Sequence, residues 1–294
     1  MAEARAMRVP PIRTEFENNT LDAAQTGEVA RPLSVWERVT NIDWVRRIMI
    51  LVVLAVIWEA YARYINNGLM FPTFLETVQA LWDATVNGPL LDRVFTSIKV
   101  LLMGYGAGLA LAAVFTTVAV STRIGTDLLS TLTSMFNPLP AIALLPLALL
   151  WFGLGIPSLI FVIIHSVLWA VALNTHTGFL SVSETQRMAG MNYGLRGIRY
   201  VMHILIPAAF PSILAGLKIG WAFAWRTLIA AELVFGVSSR SGGLGWFIFE
   251  NRNQLETAAV FAGLTAVIII GLLVESVIFR TIETHTVRKW GMQR

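Results

Sequence analysis

The stretch SVSETQRMAGMNYGLRGIRYVMHILIP, residues 181–207, is a polar interval set between two long apolar runs. Ser181-x-x-Glu184 and Ser183-x-x-Gln186 are overlapping capping boxes, so a helix is expected to begin here. Gly194 supplies the residue type that ends many helices in a left-handed turn. The helix between them has roughly ten residues, too few to hold by itself in water, so something must pack against it. Met188 and Met191 lie one turn apart on it, flexible apolar side chains suited to a groove. Arg187, Arg196 and Arg199 add donors for carboxylates or backbone carbonyls. Two readings stand side by side: a basic helix lying in lipid headgroups, and a helix docked into a partner. Pro207 is expected to open the following helix at a position where its missing N–H costs nothing.

The runs on either side of this interval belong to a larger set. Hydrophobic residues make up 56% of the 294-residue chain and charged residues 14%, and mean hydropathy is +0.66. A soluble domain carries about 25% charge, so an ordinary soluble enzyme, a disordered chain and a disulfide scaffold are excluded. Apolar stretches at Trp44–Tyr64, Phe95–Val120, Leu128–Leu150, Ser158–Phe179, Pro207–Val237 and Ala258–Phe279 each suffice to span a bilayer, since about 20 helical residues at ~1.5 Å cross ~30 Å of hydrocarbon. In lipid the backbone must satisfy its own polar groups, so these are helices, and the ~10-residue alternation of a β-barrel is missing. The expected fold is all-α and polytopic, with about six transmembrane helices.

Orientation follows from the basic residues. With the N-terminus inside, the inner segments carry 11 Lys/Arg against 3 in the outer ones. Both termini are therefore expected in the cytosol. Residues 1–40 are expected to form a polar cytosolic tail, without the apolar core of a cleavable signal peptide. Residues 41–294 form the membrane domain, with 181–206 as its inner polar segment.

Several chemistries are absent. There is no cysteine, hence no thiol nucleophile or thiolate metal site. No Gly-Lys dipeptide occurs, so there is no Walker A loop to cradle phosphates. Arg240-Ser241-Gly242-Gly243-Leu244 reads as a Gly-rich turn. The four histidines (His165, His176, His203 and His285) lack ligand spacing, so no metal site is expected. No nucleophile–base pair stands out, and no catalytic residue is assigned.

The polar interval resembles the cytosolic loop of ABC importer permeases, which reads Glu-Ala-Ala, three residues, Gly, nine residues, Ile, one residue, Leu-Pro. Here Met188-Ala189-Gly190 occupies the first three positions, Gly194 follows, then Ile204, and Ile206-Pro207 closes the pattern. Met188 stands where the family has Glu, and Gly190 where it has the second Ala. Pro207-Ala208-Ala209-Phe210-Pro211, Leu214-Ala215-Gly216-Leu217, Ala230-Ala231-Glu232 with Gly243-Leu244-Gly245, Pro138-Leu139-Pro140, Phe152-Gly153-Leu154-Gly155 and Trp58-Glu59 resemble the nitrate/sulfonate/taurine/bicarbonate branch. The resemblance covers roughly residues 50–280.

The resemblance implies the membrane subunit of a type I, binding-protein-dependent importer in a bacterial inner membrane. The short helix would be a coupling helix, with Arg187, Met188, Ala189, Gly190, Met191, Gly194, Arg196, Ile204 and Pro207 at the contact with an ATPase. Partners would be two ATPase subunits, a second permease copy (a homodimer) and a periplasmic or lipid-anchored solute-binding protein, besides membrane lipid. ATP and Mg would sit on the ATPase subunits, with no cofactor on this chain and no nucleic acid partner.

Charges inside the spans each need a physical reason. A central ionisable group costs roughly 2.5–3.5 kcal/mol on insertion scales. Glu59, Lys99, Lys218, Arg226, Glu232 and Glu275 are the candidates. Lys99, Lys218 and Glu275 lie near span ends and are expected to snorkel, and Glu59 to pair with a neighbouring helix. Arg226 and Glu232 are six residues apart, about 600° of helix, so they face different ways. Each either faces a hydrated path, where a guanidinium suits an oxyanion, or joins a structural ion pair. Asn137, Pro138, Pro140 and Pro146 are expected to break the third span, and its freed carbonyls should then face protein or water. Gly104, Gly106 and Gly108 are expected to allow close helix packing. The expected function is a permease for a small anion: nitrate, a sulfonate or taurine, or an organic or aromatic carboxylate. An ion-coupled secondary transporter or channel, carrying protons on Glu59 or Glu232 without an ATPase, is the alternative.

Overall fold

The computed structural model describes residues 41–235 and 242–291. The expected tail at 1–40 and the turn at Arg240–Ser241 lie outside them. Among the described residues there are helices and no strands, as the hydrocarbon requires of long apolar runs. In chain order the helices are α1 (Asp43–Ile65), α2 (Phe74–Val86), α3 (Leu90–Ser121), α4 (Arg123–Phe136), α5 (Leu145–Phe152), α6 (Ile156–Leu180), α7 (Glu184–Asn192), α8 (Ile206–Phe235), α9 (Leu244–Asn253) and α10 (Thr257–Leu273).

Contacts divide the chain into two units, Met1–Leu54 and Ala55–Arg294. In the first, the described residues open α1: Arg46 donates to Asp43 at 2.6 Å, and Ile48 to Leu54 are all exposed. The second unit holds the remaining helices.

Five helices are long and apolar enough to cross a membrane: Asp43–Ile65, Leu90–Ser121, Ile156–Leu180, Val201–Val234 and Thr257–Arg288. The sixth expected span is a broken pair, Arg123–Phe136 and Ala141–Phe152, bent by 87°. Its break falls at Asn137, Pro138 and Pro140. Pro138 and Pro140 supply no N–H, and Pro140 is extended (φ −61°, ψ 122°) ahead of a 3-10 turn at Ala141–Leu144. Pro146 acts otherwise than expected. It lies in the first turn of α5, where a missing donor is harmless, and so starts a helix instead of breaking one.

α6 is the centre of the second unit. Of its apolar window 61% is buried, against 28% or less for every other span. α3 and α8 close on it through glycine notches. A Cβ at Gly104 would lie 2.7 Å from Ile163, one at Gly108 2.8 Å from Val167, and one at Gly220 2.9 Å from Val171. Without a hydrophobic force between helices in lipid, such close approach supplies the dispersion contacts that hold them. Gly106 has open space beside it and takes no part in the packing.

Pro207 does not open a helix. It lies within a continuous helical run that begins at Gly197–Tyr200, passes through a π-turn at Val201–Leu205 and continues as α8. In that turn the Ile206 N–H donates five residues back, to the Val201 carbonyl, a register shift common where the ordinary ladder is interrupted.

The in-span charges find specific partners. Glu59 accepts from Arg63 on its own helix at 2.7 Å and from the Leu75 backbone N–H at 3.2 Å, at the start of α2. Lys218 donates to Glu283 at 2.5 Å, so it forms an ion pair where snorkelling was expected. Lys99 is exposed.

Alanine should distinguish the glycines. Gly104→Ala forces a Cβ onto Ile163 and should cost on the order of 1–3 kcal/mol, read as a lower unfolding temperature of the purified chain in detergent. Gly106→Ala should leave that temperature unchanged or raise it.

Candidate functional site

The break between α4 and α5 walls a cavity of about 360 Å³. Residues 136–142 form one side; His165, Ser166 and Trp169 of α6 and Phe223, Arg226, Thr227 and Ala230 of α8 form the other. The bend thus turns its irregular backbone toward a cavity shared with α6 and α8, and irregular backbone is tolerated at membrane depth where it meets protein or water. Four residues singled out from sequence, Asn137, Pro138, Pro140 and Arg226, meet here.

Arg226 is exposed. Its Nε donates to the Ala222 carbonyl of its own helix at 3.0 Å, and its guanidinium carbon lies 5.2 Å from the centre of the Phe223 ring. No acidic side chain pairs with it among the described residues. The guanidinium is held by stacking and one backbone bond, which leaves terminal N–H groups free for an oxyanion.

The sequence reading did not single out the aromatic wall. Phe136 stacks on Trp169 with centroids 5.3 Å apart and planes at 13°, and His165 meets Phe136 edge-on at 6.3 Å. Both ring nitrogens of His165 and the Trp169 indole N–H are buried without a hydrogen-bond partner among the described residues. The Ser166 and Thr227 hydroxyls are bonded at 3.0 Å and tie α6 to α8. The available signal was spacing: 165, 166 and 169, and 223, 226, 227 and 230, each lie on one helix face.

Glu232 lies elsewhere. It is 1% exposed and is not among the cavity-lining residues. Its carboxyl meets the Ser97 hydroxyl at 2.8 and 2.9 Å and accepts from the Gly245 backbone N–H at 2.8 Å. Ser97 in turn accepts from Leu244 N–H at 2.7 Å. Leu244 and Gly245 are the first residues of α9, whose N-cap Gly243 has no side chain to offer. The acid on α8 therefore caps the next helix in the chain, satisfying, together with Ser97 of α3, orphan donors at the positive end of its dipole. Gly243 is required for the approach, because a Cβ there would collide with the Glu232 carboxyl and the Ser97 hydroxyl. Of the two readings of this acid, the structural one describes the geometry, although its partner is a helix end and not a cation. Arg93 braces the same corner, donating to the Gly242 carbonyl at 3.0 Å.

The expected short helix is α7. Ser183 is its N-cap, accepting from Gln186 N–H at 3.4 Å. Ser181 instead closes α6, donating to the Gly178 carbonyl at 2.8 Å. Gly194, at φ +73°, ends α7: Leu195 N–H donates to Gly190 at 3.1 Å and Gly194 N–H to Met191 at 2.9 Å, the bond pair of a Schellman motif. Arg187 spends its donors within the chain, on the carbonyls of Phe179 at 2.6 Å and Val182 at 3.1 Å. Gly190 is buried, and a Cβ there would lie 2.8 Å from Ile204 and 3.1 Å from the Tyr200 ring. The glycine at this position thus lets α7 sit on the run leading into α8. Ala189 and Arg196 are exposed, as are Met188 at 50%, Met191 at 55% and Tyr193 at 86%. No group of three or more His, Asp or Glu that could hold a metal occurs among the described residues.

Comparison with known proteins places this geometry in context. A family model described as the binding-protein-dependent transport system inner membrane component matches residues 84–289. A putative ABC transporter permease of Methanocaldococcus jannaschii is 30% identical over 246 residues, covering 81% of this chain and 90% of that one. A putative aliphatic sulfonates transport permease of Escherichia coli is 29% identical over 198 residues, covering 67% and 74%. A nitrate import permease of Synechocystis is 27% identical over 241 residues, covering 79% and 85%.

The Glu232 cap is separable from the cavity. Ser97→Ala strips a partner from the Leu244 N–H and from the carboxyl, and should cost about 1–3 kcal/mol, lowering the unfolding temperature. Glu275→Gln, on an exposed side chain, should change stability by no more than about 0.5 kcal/mol.

Proposed function

The chain belongs to the family of binding-protein-dependent transport system inner membrane components, and on that premise we propose that its cavity is part of a path for a small anion, driven by a separate ATPase. It is a multi-pass transport subunit of the inner membrane and not an enzyme. The observation that carries the anion reading is the junction of Arg226 with the broken span. A guanidinium without an acidic partner among the described residues faces a space that the irregular backbone at Asn137–Pro140 also faces. An exposed guanidinium attracts an oxyanion through a high effective dielectric. A single charge of this kind gives modest affinity, and a path must release what it binds.

The drive is proposed to arrive through α7. Its exposed Met188, Met191 and Tyr193 form an adaptable apolar surface suited to a cleft in an ATPase subunit. Gly190 and the Schellman turn at Gly194 fix α7 to the start of α8, the helix that carries Arg226, so a push on α7 is transmitted along one continuous helical run to the cavity wall. Two ATPase subunits holding ATP and Mg, a second copy of this chain and a solute-binding protein outside complete the proposed assembly, with both termini of this chain in the cytosol. The ion-coupled alternative loses support at both of its candidate proton carriers: Glu232 caps α9, and Glu59 is bonded to Arg63 and to the Leu75 N–H.

Reconstitution in liposomes with the cognate ATPase and binding protein tests this. Arg226→Gln should lower anion uptake by roughly 10–100-fold, the equivalent of one charge-assisted hydrogen bond, while the ATPase still co-purifies. Met188→Glu with Met191→Glu should abolish co-purification of the ATPase. Uptake by this chain alone would contradict the proposal.

A further inference from the structure

α2 joins two membrane spans, α1 and α3, through short links at 66–73 and 87–89. At 13 residues it is ~20 Å long, too short to cross ~30 Å of hydrocarbon. It is therefore held at one membrane surface, and its side chains decide whether it stands above the bilayer or lies in it. At about 100° per residue they sort into three faces. Thr77 is buried, and Leu81 and Ala84 pack against the core; this face meets the bundle. Leu75, Val78, Trp82 and Val86, between 45% and 68% exposed, form a second, apolar face. Glu76, Gln79 and Asp83, also exposed, form a third. Bundle, apolar stripe and acidic stripe thus follow one another round the helix.

The rotation of α2 about its axis is fixed. Thr73 and Glu76 close a capping box at its start, the Leu75 N–H donates to Glu59 of α1 at 3.2 Å, and Phe74 meets Trp58 edge-on at 5.7 Å. We infer that α2 is an in-plane membrane helix, with Leu75, Val78, Trp82 and Val86 sunk among the acyl chains of the outer leaflet and the acidic stripe turned to water. The choice of leaflet rests on the proposed orientation, with both termini in the cytosol; the seat in lipid does not. Continuity supports lipid as the occupant. Tyr61 and Tyr64 at the end of α1, and Leu91 and Phe95 at the start of α3, are exposed too, so the stripe extends the surface that these spans present to hydrocarbon. Trp82 suits the headgroup boundary, where an amphipathic ring has one wet and one apolar side. Charge narrows the lipid class. α2 has no Lys or Arg, and its Glu76 and Asp83 repel anionic headgroups. The hold comes from apolar burial to a depth of about 5–10 Å, and zwitterionic lipid suffices.

The full chain has no cysteine, so single thiols can be placed round the helix. Val78→Cys, Trp82→Cys and Val86→Cys lie on the apolar stripe and Gln79→Cys and Asp83→Cys on the acidic one, all at exposed positions; melting curves identify any variant that fails to fold, and each stripe keeps a second position. In phosphatidylcholine nanodiscs, a bimane label at 78, 82 and 86 should lose fluorescence when the lipid is brominated on its acyl chains. The label at 79 and 83 should keep it, and neither result should depend on salt or on added phosphatidylglycerol. Unlabelled thiols at 79 and 83 should react with a charged, membrane-impermeant reagent added outside intact cells. Labels on both stripes that ignore the brominated lipid would overturn the inference, with α2 standing clear of the bilayer. Disulfide formation at 82 between two copies of the chain, or protection of an unquenched position 82 by the solute-binding protein, would give the stripe to a protein and overturn it equally. Quenching at 78, 82 and 86 with the reagent reaching 83 only from the cytosolic side would uphold the seat in lipid and overturn the orientation alone.

Discussion

Every backbone N–H and C=O at membrane depth needs a partner, and one stretch of this chain leaves the rule unmet within its own helix. Pro138 and Pro140 withhold two donors, and the helices on either side turn by 87°. Such a break is stable only against protein or water. The cavity lined by residues 136–142, α6 and α8 is the consequence. α6 must be buried deeply enough to anchor the break, and the glycine notches of α3 and α8 at Ile163, Val167 and Val171 make that possible.

A second economy concerns charge. Among the described residues no cation pairs with Glu232, yet it is buried to 1% exposure. The Ser97 hydroxyl and the Gly245 N–H bond to it, while Ser97 accepts from the Leu244 N–H, so the carboxyl closes the far end of α8 onto α3 and α9. Arg226, less than two turns earlier on α8, remains free to face the cavity. Six residues of helix keep the structural acid and the cavity's base on different faces. One helix thus holds the bundle together with one side and offers a cation with the other, while its beginning is packed against α7.

The legible part of the sequence was what periodicity and punctuation encode. Apolar length gave the spans, Ser183 and Gly194 gave the ends of α7, and Asn137-Pro138-x-Pro140 gave the break. The in-span charges drew attention to Arg226. What was illegible depended on partners distant in sequence. Ser97 and Gly245 lie 135 and 13 residues from Glu232, and nothing local announces a helix cap supplied across a bundle. His165 and Trp169 looked like ordinary members of an apolar helix, because an unpaired ring nitrogen becomes visible only once its neighbours are known. Lys218 looked like a snorkelling residue until Glu283 appeared opposite it. Pro207 resembled a helix start because sequence alone does not reveal a π-turn that absorbs it.

The central claim is that the broken span faces a hydrated space inside the protein. The chain has no cysteine, so single introduced thiols report without background. In the membrane-embedded complex, Asn137→Cys should react with a small, charged, membrane-impermeant thiol reagent, while Val114→Cys, 59% exposed on α3 within a membrane span, should not. An unreactive thiol at position 137 through the full transport cycle would contradict the account.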